Sequence, residues 1–307
     1  MNFPVFKAFS AGLAYIVAHF FTIIKILWLP TLLLIAVQVY LMPSMIDAQV
    51  QLGGMEQGGD PTAMFAAMGP MFRAMGLLYL AMAIAYPMMI AGLLRHVIRG
   101  EAPRLPFYLW FGADELRIVA AFLLLIIMTI ILYIAGGLLV MVVGLILSLV
   151  AGALGGILMG VGILALVGAL IWFFVRMSIV YAAAVGERTV GVAEAWNITE
   201  GHFWGLFFYW ILWVFVMIVA GLVFLALILP SYMPLMMEMM SSMSDPAAME
   251  QLNVRMLEMQ GDMWDLSKPG AWVSVISTYL FTMVYTALWV VPAGIAYRYL
   301  VGEERGR

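Results

Sequence analysis

Residues 118–175 read IVAAFLLLIIMTIILYIAGGLLVMVVGLILSLVAGALGGILMGVGILALVGALIWFFV, fifty-eight positions without one Asp, Glu, Lys or Arg. A helix needs about 20 apolar residues to cross the hydrocarbon of a bilayer, so this run predicts two crossings with almost nothing between them. Four further stretches free of the same residue types lie outward from it, at 26–46, 74–94, 201–237 and 269–297. Each holds one crossing, and the total is six transmembrane helices in an all-α integral membrane fold.

Composition points the same way. Of 307 residues, 66% are hydrophobic and 10% charged, with a mean hydropathy of +1.09; soluble domains carry about 25% charged residues. A net charge of −3 without a basic face excludes a nucleic-acid partner. The chain has no cysteine, which removes disulfides, thiolate metal sites and thiol catalysis together. Residues 1–10 hold Lys7 but no short apolar core leading to a cleavage site, so no cleavable signal peptide is expected.

Orientation follows from the cations. With six spans, Lys7, Lys25, Arg95, Arg99, Arg104, Arg117, Arg176, Arg188, Arg298, Arg305 and Arg307 fall on one side, and only Arg73, Arg255 and Lys268 on the other. The positive-inside bias then places both termini in the cytoplasm, and His19, His96 and His202 with them.

The chain also shows signs of repetition. Gly-Glu closes every returning span, as Gly100-Glu101, Gly186-Glu187 and Gly302-Glu303, where glycine suits a left-handed helix cap. Short aromatic segments at 3–12, 105–112 and 192–201 precede the outgoing spans, and Trp110, Trp196 and Trp204 suit the water–lipid boundary as interfacial anchors. Asp60-Pro61 and Asp245-Pro246 both have the form of a helix start. These correspondences predict three pseudo-repeats, 1–100, 101–186 and 187–302, each an interfacial helix plus a transmembrane hairpin. Outer caps are expected at 43–72 and 231–269, with none on the middle unit.

The run Arg176-Met177-Ser178, then Gly186-Glu187-Arg188, then Val192-Ala193-Glu194-Ala195-Trp196-Asn197-Ile198-Thr199-Glu200-Gly201-His202-Phe203-Trp204 resembles the signature loop of bacterial six-helix membrane proteins. These are the YciC-like family and the membrane domain fused to some glycerophosphodiester phosphodiesterases. The resemblance covers the six-span plan and this one loop. It implies a bacterial inner-membrane protein, and it carries over no catalytic residue.

Four features within the spans invite a functional reading. Gly152, Gly156 and Gly160 recur every four residues, spacing that lets helix backbones approach, either within the middle hairpin or between two copies. Ser274, Thr278, Thr282 and Thr286 put four hydroxyls on one face of the last span, a packing stripe or one wall of a polar cavity to which Tyr285 and Gln38 would contribute. Pro30, Pro87 and Pro292 lie inside spans, where shaping a bundle is their commoner use. Seventeen of the 27 methionines fall at 42–75 and 230–270. Met233, Met236, Met237, Met240 and Met243 have the thioether chemistry of a Cu(I) site. Helical spacing of Met249, Leu252, Met256, Met259 and Met263 instead marks an apolar helix face.

No reaction is expected. Asp114, Glu115 and Arg117 read as an exposed cap or ion pair, the histidines lack a carboxylate at metal-ligand spacing, and no nucleophile or phosphate-loop motif occurs. No cofactor or metal is implied. No ionised residue sits deep in a span, which argues against an ion-coupled carrier. The expectation is a non-enzymatic inner-membrane protein that handles lipid or small amphiphiles or organises an envelope complex, with a hydroxyl-lined channel or facilitator as the alternative. Its partners would be membrane lipid and either a second copy or an envelope protein.

Overall fold

The computed structural model describes residues 3–53, 61–101, 111–242, 255–257 and 259–305. Among them there is no strand. Helix α1 (Val5–Ala18) is followed by α2 (Phe20–Gly53) and α3 (Pro61–Leu94), and α3 runs on into a π-helical turn at Arg95–Arg99. Then come α4 (Ala113–Ala151), α5 (Ala153–Met177) and two short helices, α6 (Val180–Glu187) and α7 (Val192–Ile198). The chain ends in α8 (Phe203–Ser242) and α9 (Pro269–Arg305).

Six of these helices, α2, α3, α4, α5, α8 and α9, are long and apolar enough to cross a membrane. At 1.5 Å per residue the 34 residues of α2 extend about 51 Å, well beyond the roughly 30 Å of bilayer hydrocarbon. The described residues of the segment 43–72 accordingly belong to α2 and α3, which continue through Pro43 and Pro70. Pro61 is the first residue of α3, a position where its missing N–H costs nothing. The second Asp-Pro pair, at 245 and 246, lies outside the described residues. Pro30, Pro87 and Pro292 are all inside helices.

The three long hairpins, α2–α3, α4–α5 and α8–α9, meet at the end that carries the basic residues. There the core gathers Ile26 and Leu27 of α2, Met89, Leu93 and Leu94 of α3, Ile118 of α4, Leu206, Tyr209 and Trp213 of α8, and Val291 and Leu300 of α9. Helix α1 lies across this core: Phe3 and Phe9 meet Tyr209 and Trp213 edge to face, and Gly12 admits the Trp213 ring so closely that a Cβ would stand 2.7 Å from it. Its other face leaves Phe6 and Val17 exposed. A buried apolar inner face and an outer face that mixes Phe6 and Val17 with Lys7 and Ser10 suit a helix lying at the edge of the hydrocarbon.

Away from that end the hairpins separate. Half of the apolar stretch of α3 is buried, but only 6% of that of α5 and of α8. Above Ala121 the one buried position described on α4 is Gly144, covered by Met159 of α5. Before Phe173 the one buried position described on α5 is Gly155, against the Ser148 backbone of α4. On α8 nothing described beyond Trp213 is buried, and its one ring stack there is Phe224 on Phe281 of α9. The α4–α5 hairpin therefore rises alone from the common base.

Sequence expectation and structure part at three places. The fourth span does not run unbroken to Glu187: it stops at Met177, where Ser178 donates its hydroxyl to the Val175 carbonyl at 2.7 Å, and resumes as α6. Helix α6 is a plug of small residues with Val180, Ala182, Ala183, Ala184 and Val185 all buried. The three Gly-Glu pairs do not share one role either. Gly100 takes the left-handed conformation at φ +66°, but Gly186 is inside α6, where the left-handed residue is Arg188, and Gly302 is inside α9. Finally, the close approach of α4 and α5 does not fall on Gly152, Gly156 and Gly160. Gly152 is the turn itself, at φ +55°, and Cβ atoms at Gly156 and Gly160 would meet open space. The packing glycines are Gly136 against Leu166, Gly144 against Met159, Gly155 against Ser148 and Gly162 against Val140.

Candidate functional site

The polar chemistry of the described residues is concentrated at the basic end, and the π-helical turn positions it. A π turn admits one extra residue per hydrogen-bonded ring and so re-aims the side chains around it. Here Arg95 points inward and Arg99 sideways. Arg95 donates from Nε to Asp114 at 2.8 Å and from Nη2 to Glu115 at 2.7 Å, while Arg99 reaches Asp114 at 3.0 Å and Arg117 reaches it at 2.7 Å. Glu115 also accepts the backbone N–H of Gly112 at 2.9 Å, capping α4. Of the exposed cap or ion pair expected at Asp114, Glu115 and Arg117, the ion pair with Arg117 is present, but Asp114 and Glu115 are buried in an internal cluster that welds the end of α3 to the start of α4. The acidic pair was visible in the chain; that Arg95 covers it from another helix was not.

A second cluster fixes α7 beneath α5. Arg176 donates from Nε to the Thr199 hydroxyl at 2.9 Å and from Nη2 to the Trp196 carbonyl, and its guanidinium lies 4.5 Å from the Trp196 ring centroid and 5.6 Å from that of Trp172. Trp196 is thus held under a cation and edge-on to Trp172. Trp204 stands exposed at the foot of α8 among Phe203, Phe207 and Phe208. Trp110 lies outside the described residues.

The histidines do not form a metal site. His19 and His96 meet edge to face at 5.2 Å with Tyr15 stacked on His19, and the described residues contain no group of three or more His, Asp or Glu able to hold an ion. Nε2 of His96 is buried without a hydrogen-bond partner. Tyr15, in α1, is pushed up to about 12 by burial against the opposing pull of the Arg298 charge, and stays neutral.

All four hydroxyls of the α9 stripe are among the described residues. Ser274 and Thr286 are buried, while Thr278 and Thr282 are half-buried. Thr282 donates to the Thr278 carbonyl one turn back at 2.8 Å, the local bond that satisfies a hydroxyl without any second helix. Tyr285 is exposed and Gln38 half-buried. Nearby cross-helix polar contacts are single: Tyr279 donates to the Trp28 carbonyl of α2 at 3.0 Å, and Tyr209 to the Pro292 carbonyl at 2.9 Å, which satisfies a backbone group. Of the outer methionines, Met233 and Met237 on α8 are exposed, and the side chains of Met236, Met240 and Met243 lie outside the described residues.

One pocket accompanies these clusters, a recess of about 360 Å³ at the basic end lined by Ile98, Arg99, Gly186, Tyr297, Arg298, Val301 and Gly302. The π turn, α6 and α9 each contribute to it. Sequence reading placed these residues at the ends of three spans without bringing them together.

No family model, curated protein or solved structure matches the chain. The likeness to the YciC-like proteins rests on the six-span plan and the residues of the 176–204 loop.

Proposed function

We propose that this multi-pass membrane protein accommodates lipid or a small amphiphile between its α4–α5 hairpin and the α8–α9 hairpin, without catalysing a reaction on it. One observation carries the reading: away from the basic end burial is limited to the α2–α3 hairpin, the start of α9 and the glycine contacts between α4 and α5, so the outward apolar walls of α4, α5 and α8 stand apart with no described residue covering them. Helices in lipid associate through close packing and not through a hydrophobic force, so apolar walls held apart are filled by acyl chains. The cation asymmetry supports a bacterial inner-membrane setting with the basic end and both termini in the cytoplasm. The loop resemblance to the YciC-like proteins fits the same setting.

The test is transbilayer movement of a fluorescent phospholipid in proteoliposomes, with Leu158→Cys in α5 and Leu222→Cys in α8 joined by a bifunctional thiol reagent. The chain has no native cysteine to interfere. Movement faster than in empty vesicles that slows on cross-linking is the expected result. Equal rates with and without protein would refute lipid handling. Flux of ions or small polar solutes lost on replacing Ser274, Thr278, Thr282 and Thr286 by valine would replace this reading with the channel.

A further inference from the structure

We propose that the recess between the π turn, α6 and α9 is a binding site for a phosphate group, with Arg298 as its free cation and Arg99 as its fixed one. The two charged side chains among its seven lining residues are both guanidiniums, and no carboxylate lines it. A guanidinium presents five N–H donors in a planar fork that matches two phosphate oxygens at once.

The two arginines differ in how they are held. Arg99 is anchored, with Nη1 on Asp114 at 3.0 Å and Nη2 on the Val185 carbonyl, so its orientation is set before any ligand arrives. Arg298 is exposed, and its one hydrogen bond among the described residues runs from Nη1 to the Val97 carbonyl at 3.3 Å. No carboxylate of a described residue pairs with it. The neighbouring tyrosine that feels its charge, Tyr15, is neutral, so it does not compensate that charge either.

The nearest acidic group on α6 is turned to another partner. Glu187 accepts the Tyr297 hydroxyl, and the absence of a side chain at Gly186 is what lets the Tyr297 ring reach across, since a Cβ there would overlap it. Among the described residues the recess thus presents one guanidinium preset by Asp114, with Glu101 3.7 Å away, and a second, Arg298, that no carboxylate pairs, while Glu187 is engaged by Tyr297. Ile98, Val301 and the Tyr297 ring supply apolar walls for the few carbons next to a phosphate. At about 360 Å³ the volume falls near the lower end of ligand pockets, suited to a phosphate with a glycerol-sized substituent. That chemistry is shared by the headgroup of an anionic phospholipid and by a small soluble phosphate ester. The site is remote from the α4–α5 and α8 walls, so it stands or falls independently of the lipid-crevice reading.

The experiment uses the whole chain in nanodiscs, with Arg298→Gln, Gly302→Asp and Gly302→Ala. A Cβ at Gly302 meets nothing within 4 Å, so Gly302→Ala is a neutral control and Gly302→Asp brings a carboxylate to the rim without a clash. Two probes are titrated, glycerol 3-phosphate in phosphatidylcholine discs and phosphatidylglycerol introduced into the discs themselves, with retained lipid read by native mass spectrometry. Binding of one probe identifies the source as soluble or lipid. Loss of about tenfold or more in its affinity is expected for Arg298→Gln and Gly302→Asp, with Gly302→Ala unchanged. Binding of neither probe, or equal binding by all four proteins, would overturn the site.

Discussion

The two ends of this molecule solve opposite problems with nearly the same residue types. At the basic end, all nine described helices contribute to one core, and strong polar groups are answered from different parts of the chain: Arg95 by α4, Arg176 by α7, Glu187 by α9, Tyr209 by the carbonyl of Pro292. Toward the other end, α4 touches α5 and α8 touches α9, and among the described residues the remaining faces of α4, α5 and α8 are bare. Hydropathy does not distinguish these regions; α8 has one of the highest values of the six spans yet is among the least buried. What separates them is the supply of paired charges and cross-helix polar contacts, because in lipid an apolar side chain gains little by leaving acyl chains for another helix. Cohesion here comes from the welds.

The largest effect that would sharpen this contrast is at the ion cluster. Asp114→Ala leaves Arg95, Arg99 and Arg117 around Glu115 in a buried site, and removal of one partner from such a cluster costs about 3–5 kcal/mol. Thermal unfolding of the purified protein in detergent should show a large fall in midpoint. Asp262→Ala, which breaks an exposed pair with Lys268 at the opposite end, should leave the midpoint where it was. If the two variants melted alike, the basic end would not be the weld described.

Next in size is the turn of the α4–α5 hairpin. A side chain at Gly155 would run into the Ser148 backbone, so Gly155→Val should distort the hairpin at a cost of about 1–3 kcal/mol. Gly156→Val and Gly160→Val point into open space and should do nothing within one copy. Packing is read directly by a disulfide. A Cβ at Gly162 would lie 3.8 Å from Cβ of Val140, near the usual disulfide spacing, so Val140→Cys with Gly162→Cys should oxidise readily. Adding Gly155→Val should suppress that bridge and adding Gly156→Val should not; the reverse pattern would restore the 152, 156, 160 face as the packing surface.

A matched pair of leucines on α8 tests the contrast along a single helix. Leu206 is fully buried and Leu222 is exposed. In a bilayer the transfer part of a Leu→Ala cost largely vanishes, leaving the loss of packing, about 1–2 kcal/mol at Leu206. Leu222→Ala should be silent in a denaturation assay. A measurable loss at Leu222 would mean that α8 is packed over its outer half and that no crevice exists.

The parts of this structure that could be read from the chain are those set by single-helix physics. Span number, the helix start at Pro61 and the prolines within α2, α3 and α9 follow from runs of apolar residues and from the missing N–H of proline. The parts that escaped depend on what a helix meets. Gly155 and Gly156 are identical in sequence terms, and their roles separate only when the turn at Gly152 fixes which of them faces Ser148. Asp114 and Glu115 carry no sign of burial until Arg95 arrives from α3. The break at Ser178 has no proline or glycine to announce it; it coincides with the contacts of Arg176 to Thr199 and Trp196, which lie twenty or more positions further along the chain. For the recess, Arg99 and Arg298 sit about two hundred positions apart, and no local spacing links them.

The smallest predicted effect bears on the hydroxyl stripe. Thr282 bonds to the Thr278 carbonyl of its own helix at 2.8 Å. The unfolded reference for a membrane protein is a set of separated helices still inserted in lipid, and in that state α9 keeps the same carbonyl in the same place. The bond is made equally on both sides of the equilibrium and cancels, so Thr282→Val should change stability by less than about 0.5 kcal/mol, below the net worth of an ordinary intramolecular hydrogen bond. Ser274 and Thr286 differ in being buried, and a hydroxyl there that bonds to another helix would be lost on separation. Comparing Thr282→Val with Thr286→Val therefore isolates the contribution between helices. Equal and negligible shifts would make the stripe a feature of one helix, whereas a loss confined to Thr286→Val would make it part of the weld, since Thr286 lies toward the basic end of α9. A loss at Thr282 itself would show that its hydroxyl has a partner outside α9, which is what a polar path through the outer half of the bundle would require.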